Sequence, residues 1–87
     1  MLFHITYEIG PACRGDAQAI FQETGGLPPE GVEKVGRWHC SAGPKGYIVA
    51  SSNDAEAIAL WLQAWTKLMR FDLSPVVEDE QFARVIG

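Results

Sequence analysis

Phe3-His4-Ile5-Thr6-Tyr7-Glu8-Ile9 alternates apolar and polar side chains residue by residue. Two later stretches, residues 35–40 and residues 70–74, alternate in the same way. Because successive side chains in a strand point to opposite faces of a sheet, each stretch is predicted to be a strand with one core face and one polar face. We expect any functional group to lie on the polar face.

A helix and a hairpin are predicted between the first and last of these strands. An apolar stripe with helical spacing starts at Asp16, and Gly25-Gly26 marks its end because helices often stop at a residue that tolerates positive φ. A turn-rich link over residues 42–46 predicts that the second and third strands are antiparallel neighbours. Residues 47–50 are apolar on both parities, which is typical of a central strand.

A second helix is predicted over residues 54–68, with Asn53 as its N-cap. Apolar side chains cover most of its circumference, which indicates burial on more than one side. Leaving Trp61 in water would forgo roughly 4 to 6 kcal/mol, judged from its area. We expect Trp61 to be covered by a second protomer or by a short C-terminal helix that starts after Asp79.

The element order predicts the fold class. Strand, helix, strand, strand, helix, strand is the βαββαβ arrangement of a ferredoxin-like α+β sandwich, here one domain over residues 1–87. Its four-stranded antiparallel sheet has the usual strand order 4-1-3-2. One sheet face is left without helices, and we expect the polar residues to lie there.

The net charge and the amino-acid composition argue against some classes of binding partner. The net charge of −4 disfavours nucleic acid and anionic membranes, which select clustered Lys and Arg. Cys13 and Cys40 have no Cys-x-x-Cys spacing, so reduced thiols in the cytoplasm are expected. No signal peptide or membrane span is predicted. The hydrophobic share of 47%, with three tryptophans, favours a subunit interface and therefore a homodimer.

Several short motifs carry a family resemblance over essentially the whole chain. They are Met1-Leu2-Phe3-His4-Ile5, Gly25-Gly26-Leu27-Pro28-Pro29-Glu30-Gly31-Val32, Gly36-Arg37-Trp38-His39, Trp61, Trp65 and Ser74-Pro75-Val76. In this order they resemble the family of domains of unknown function numbered 3303. The resemblance implies a relative of the dimeric α/β-barrel group, in which two ferredoxin-like sheets face each other and enclose pockets. That group includes cofactor-free monooxygenases and isomerases as well as proteins without known catalysis, so no reaction is transferred.

The polar face supplies the candidate site. His4 and His39 form a predicted proton-handling pair, and Arg37 would hold an anionic or carbonyl oxygen. The alternative is a structural role, in which the histidines are hydrogen-bonded within the sheet or at an interface. The predicted ligand-binding residues around them are Thr6, Trp38, Arg70 and Asp72.

The facing of the second strand leaves two alternatives open. A slip of one residue would send Trp38 to the helix-free face and His39 to the helix side or the edge. No metal is expected, because one strand separates those of His4 and His39, so their backbones lie roughly 10 Å apart. No cofactor is expected either.

Two functions follow from these residues. In the first, a dimer binds a small organic molecule in a pocket on the helix-free face, with or without cofactor-free catalysis. In the second, the chain is a non-catalytic module for self-association or protein interaction. No sequence motif indicates a particular reaction, so the sequence leaves open whether the protein is an enzyme.

Overall fold

The computed structural model describes residues 1–87 as four strands and three helices. The strands pair antiparallel in the order β2-β3-β1-β4, which is the predicted order 4-1-3-2 read from the other edge. The ferredoxin-like α+β fold is thereby confirmed. None of the helices is long and apolar enough to cross a membrane. The elements are β1 (Leu2–Ile9), α1 (Arg14–Thr24), β2 (Val32–His39), β3 (Lys45–Ser52), α2 (Ala55–Gln63), β4 (Met69–Val76) and α3 (Asp79–Ile86).

The core lies between the two central strands and α2. The apolar parity of β1 is buried as predicted, with Ile5 fully enclosed. Ile48 on β3 and Trp61 on α2 belong to the same buried cluster. Trp61 is therefore covered within its own chain and needs neither a second protomer nor α3, none of whose residues is buried.

The second helix differs from its predicted bounds at both ends. Its N-cap is Asp54, whose carboxylate accepts from two backbone amides of the first turn, whereas the Asn53 side chain accepts from the amino group of Met1. The helix ends at Gln63, and residues 64–68 form turns. There the Trp65 amide donates to the carbonyl three residues earlier, which tightens the chain beyond helical pitch.

An irregularity in β2 sets the facing of the candidate residues. The pairing of β2 with β3 shifts between Lys34 and Gly36, so one extra residue is inserted into β2. Beyond this bulge, Arg37 pairs with Ile48 on the helix-covered face. Trp38 therefore faces the helix-free side, and His39 faces the helices.

The placement of Arg37 and His39 on one face with His4 is consequently wrong. His4 points away from the helices, on the parity of β1 opposite to its buried residues. The one-residue slip left open from the sequence is the arrangement that the structure shows.

Candidate functional site

A large cavity lies between α1, α2 and the sheet face that they cover. It has a volume of about 610 Å³, and 11 of its 18 lining residues are hydrophobic. Helix α1 buries only Ala17. Because α1 packs so shallowly, it forms one wall of an open cleft. The volume falls in the range of about 300 to 1,000 Å³ that is typical of small-molecule sites. The apolar floor includes Ile9, Ile48, Leu62, Trp65, Met69 and Phe71.

Three residues form one row across the sheet beneath this cleft. Gly46 on β3 pairs with Tyr7 on β1 and with His39 on β2. A side chain at Gly46 would overlap the Tyr7 ring, so the glycine allows the ring to lie across β3. The Tyr7 hydroxyl and His39 Nδ1 thereby share a hydrogen bond across the intervening strand.

The environment favours the neutral forms of both hydrogen-bonded groups. Burial raises the pKa of Tyr7, although the charge of Arg37 opposes the shift. Burial lowers the pKa of His39, and the cations of Arg37 and Lys34 lower it further. The Tyr7 hydroxyl has no other hydrogen-bond partner, so we assign it as the donor to Nδ1. The His39 proton then lies on Nε2.

Arg37 connects β2 to the end of α1. Its Nη1 and Nη2 donate to the carbonyls of Gly26 and Gly25, each at 2.8 Å. Its guanidinium also lies 4.8 Å from the centre of the Phe21 ring, which meets His39 edge-on. Two of its five N–H donors are therefore used by backbone carbonyls, and Arg37 also lines the cleft. The role of Arg37 in holding a ligand oxygen stays a prediction.

A smaller cleft of about 170 Å³ lies on the helix-free face. Three of the four predicted ligand-binding residues, Thr6, Arg70 and Asp72, line it. Its wall also includes Lys45 and Glu8, which form the only ion pair of the chain at 3.7 Å. The structure thus brings these charges together, although in a much smaller space than the cleft beneath the helices.

The fourth predicted ligand residue, Trp38, shares this face outside the cleft. It pairs with Tyr47, whose ring centre lies 6.4 Å from that of His4. His4 and His39 lie on opposite faces of the sheet, so they form no pair. No group of three His, Cys, Asp or Glu side chains is placed to hold a metal ion, and both cysteines are free.

The sequence reasoning missed Tyr7 and Gly46. Tyr7 was predicted as a core residue, and Gly46 as part of a turn. A usable signal was present, because a buried tyrosine must find a partner for its hydroxyl. A glycine at the start of the neighbouring strand leaves room for that hydroxyl to reach one.

Comparison of the chain with known proteins assigns it to one family. Among solved structures, the chain is similar to protein Atu4242 from Agrobacterium tumefaciens, a structural genomics target. The two are 12% identical, with 91% of this chain and 96% of that chain covered and a TM-score of 0.48. No curated protein matches the chain. The family model described as domain of unknown function (DUF3303) matches residues 1–87, and the chain therefore belongs to the DUF3303 family.

Proposed function

We propose that the protein binds a small organic molecule in the cleft between α1, α2 and the sheet. The observation that carries this proposal is a largely apolar cavity of about 610 Å³ with the Tyr7–His39 hydrogen bond in its wall. Ligand sites typically combine an apolar lining with a few placed polar groups. The Nε2–H of His39 is a free donor, so the preferred ligand has an apolar body and a carbonyl or anionic oxygen.

The same pair of residues supports an extension to cofactor-free proton transfer. In the other tautomer of His39, Nδ1 carries the ring proton and donates it to the Tyr7 oxygen, and the lone pair of Nε2 is then free to accept a proton from a ligand. The lowered pKa of His39 keeps its imidazole neutral near neutral pH, which is the form that can accept a proton as a general base. The reaction type would then be movement of a proton on a bound carbonyl compound.

The binding proposal is tested with 1-anilinonaphthalene-8-sulfonate, which has an aromatic body and an anionic oxygen. Gln18 lines the cleft from α1, whereas its neighbour Ala19 is exposed and does not line the cleft. We expect Gln18→Trp to fill the cleft and weaken probe binding at least tenfold, and Ala19→Trp to leave it unchanged. Equal binding by both variants would refute the site. Near-ultraviolet circular dichroism must stay native, because loosely packed states also bind this probe.

Self-association through the helix-free face is the second candidate function. Trp38 is 57% exposed and Tyr47 is 45% exposed on a sheet face that no helix covers. Exposed aromatic side chains are enriched at protein interfaces. We propose a homodimer on this basis, and the two free thiols support a cytoplasmic location.

Sedimentation tests the homodimer. The wild-type chain should sediment as a dimer at micromolar concentration, and Trp38→Asp should shift it toward monomer. Leu60→Asp makes the same apolar-to-acid change at an exposed position on α2 and should leave the dimer intact. A wild-type monomer at tens of micromolar would eliminate this function.

A further inference from the structure

The C-terminal helix α3 is amphipathic but buries nothing within its own chain. Phe82, Val85 and Ile86 follow helical spacing and form one apolar stripe. They are 53%, 75% and 71% exposed, and no residue of α3 is buried. The helix therefore presents an apolar stripe to whatever lies outside the chain.

An eight-residue helix of this kind needs a partner surface. Isolated helices shorter than about 12 residues are marginal in water, because nucleation costs more than a few backbone hydrogen bonds return. The capping box between Glu78 and Gln81 satisfies the first turn. It does not cover the apolar stripe, which remains the part of α3 that burial would stabilise.

We infer that α3 of a second copy of the chain covers the mouth of the cleft. The cleft offers an apolar floor, and the cationic residue Arg14 lines it. The start of α3 is acidic, with Glu78, Asp79 and Glu80 in succession. Arg14 has no ion pair within its own chain, so the charges of the two surfaces are complementary.

The chain cannot cover its own cleft in this way. Met69 pairs with Ile9 at the cleft end of the sheet, whereas Val76 pairs with Leu2 at the opposite end. The length of β4 separates these ends by about 23 Å at about 3.3 Å per residue. Helix α3 spans only about 12 Å and starts beyond the far end, while α1 and α2 stand over the cleft. The helix that reaches the mouth therefore comes from another copy.

This inference rests on the cleft of the proposed function as the acceptor, but not on its ligand. A second copy would contribute Phe82, Val85 and Ile86 to the wall of the site. The site of one chain would thus be complete only in the dimer.

Disulfide trapping tests the contact, because exposed Cys40 lines the cleft. In a Cys13→Ser background, mild oxidation of Val85→Cys should give a covalent dimer on a non-reducing gel. Adding Cys40→Ser should abolish that dimer, which excludes disulfides between two α3 helices. Arg84→Cys places a thiol on the opposite side of α3 and should cross-link at least tenfold less.

Three results would overturn the inference. They are equal cross-linking by Val85→Cys and Arg84→Cys, a dimer that survives Cys40→Ser, and a disulfide within one chain. Cross-linking without any probe isolates this contact, so its failure is distinct from failure of probe binding in the Gln18→Trp experiment.

Discussion

Replacing Gly46 with Ala should break the hydrogen bond between Tyr7 and His39 without changing either residue. The new methyl group would overlap the Tyr7 ring at Cε2, Cζ and Oη. Gly46 does not have a positive φ, so its backbone accepts alanine without strain. The effect of the substitution therefore comes from displacing the ring.

The expected magnitude follows from three opposing contributions. Overpacking a well-packed site costs about 1 to 3 kcal/mol. Losing the Tyr7–His39 hydrogen bond costs about 0.5 to 1.5 kcal/mol. Removing a glycine from a strand returns about 0.5 to 1 kcal/mol. We therefore expect the free energy of unfolding to fall by about 0.5 to 4 kcal/mol, with the middle of that range at about 2 kcal/mol.

Urea denaturation of Gly46→Ala in two backgrounds measures this effect. With a slope of about 1 to 3 kcal/mol/M, the midpoint should fall by about 1 M in the wild-type background. In a Tyr7→Ala background the ring is absent, so the same substitution should be neutral or slightly stabilising. An equal cost in both backgrounds would show that the ring does not lie over Gly46. Gly15→Ala is the matched control, because its new methyl group meets nothing within 4 Å and should stabilise α1.

Three further substitutions test the N-cap of α2, the hydrogen bonds of Arg37 to the end of α1, and the titration of His39. Asp54→Ala should lower the free energy of unfolding by about 0.5 to 2 kcal/mol, because the N-cap of α2 is lost. Asn53→Ala should lower it by less. Equal losses of stability for the two variants in denaturation would contradict Asp54 as the cap. Arg37→Lys should lower the free energy of unfolding by about 1 to 3 kcal/mol, because lysine cannot donate to both glycine carbonyls at the end of α1. Arg70→Lys makes the same change at an exposed position and should leave the stability measured by denaturation nearly unchanged. The lowered pKa of His39 means that the unfolded chain binds more protons below pH 6.5, so stability should fall as pH falls from 6.5 toward that pKa. His39→Gln should flatten this part of the pH profile measured by denaturation, and an unchanged slope would exclude His39 as its source.

The fold was predictable because its signals are local. Alternation in β1 places Phe3 and Ile5 in the core and His4 outside it, as the structure confirms. Glycines at the end of α1 and the turn before β3 give the element order, and the order gives the sheet topology. These patterns need no knowledge of distant contacts. The N-cap of α2 was harder, because Asn53 and Asp54 are adjacent and either side chain is a good cap.

The candidate site was only partly predictable, because it depends on a pairing between strands. The bulge between Lys34 and Gly36 has no unambiguous local signature, since Gly36 is equally compatible with a regular strand. A one-residue shift exchanges the two faces of everything that follows in β2. In the structure, Trp38 therefore lies on the helix-free face, whereas Arg37 and His39 lie on the face covered by the helices.

That single inserted residue also determines whether a cleft exists. Without the bulge, Trp38 would point toward the helices, and an aromatic side chain of about 150 to 250 Å² would occupy space that is now open. With it, His39 falls in the row of Gly46 and Tyr7, where the absent side chain of glycine allows the phenol to reach the imidazole. The cavity and the hydrogen bond between Tyr7 and His39 therefore both depend on the register of β2 against β3. For this reason, deleting one residue from the bulge should remove probe binding more completely than any single substitution in the cleft.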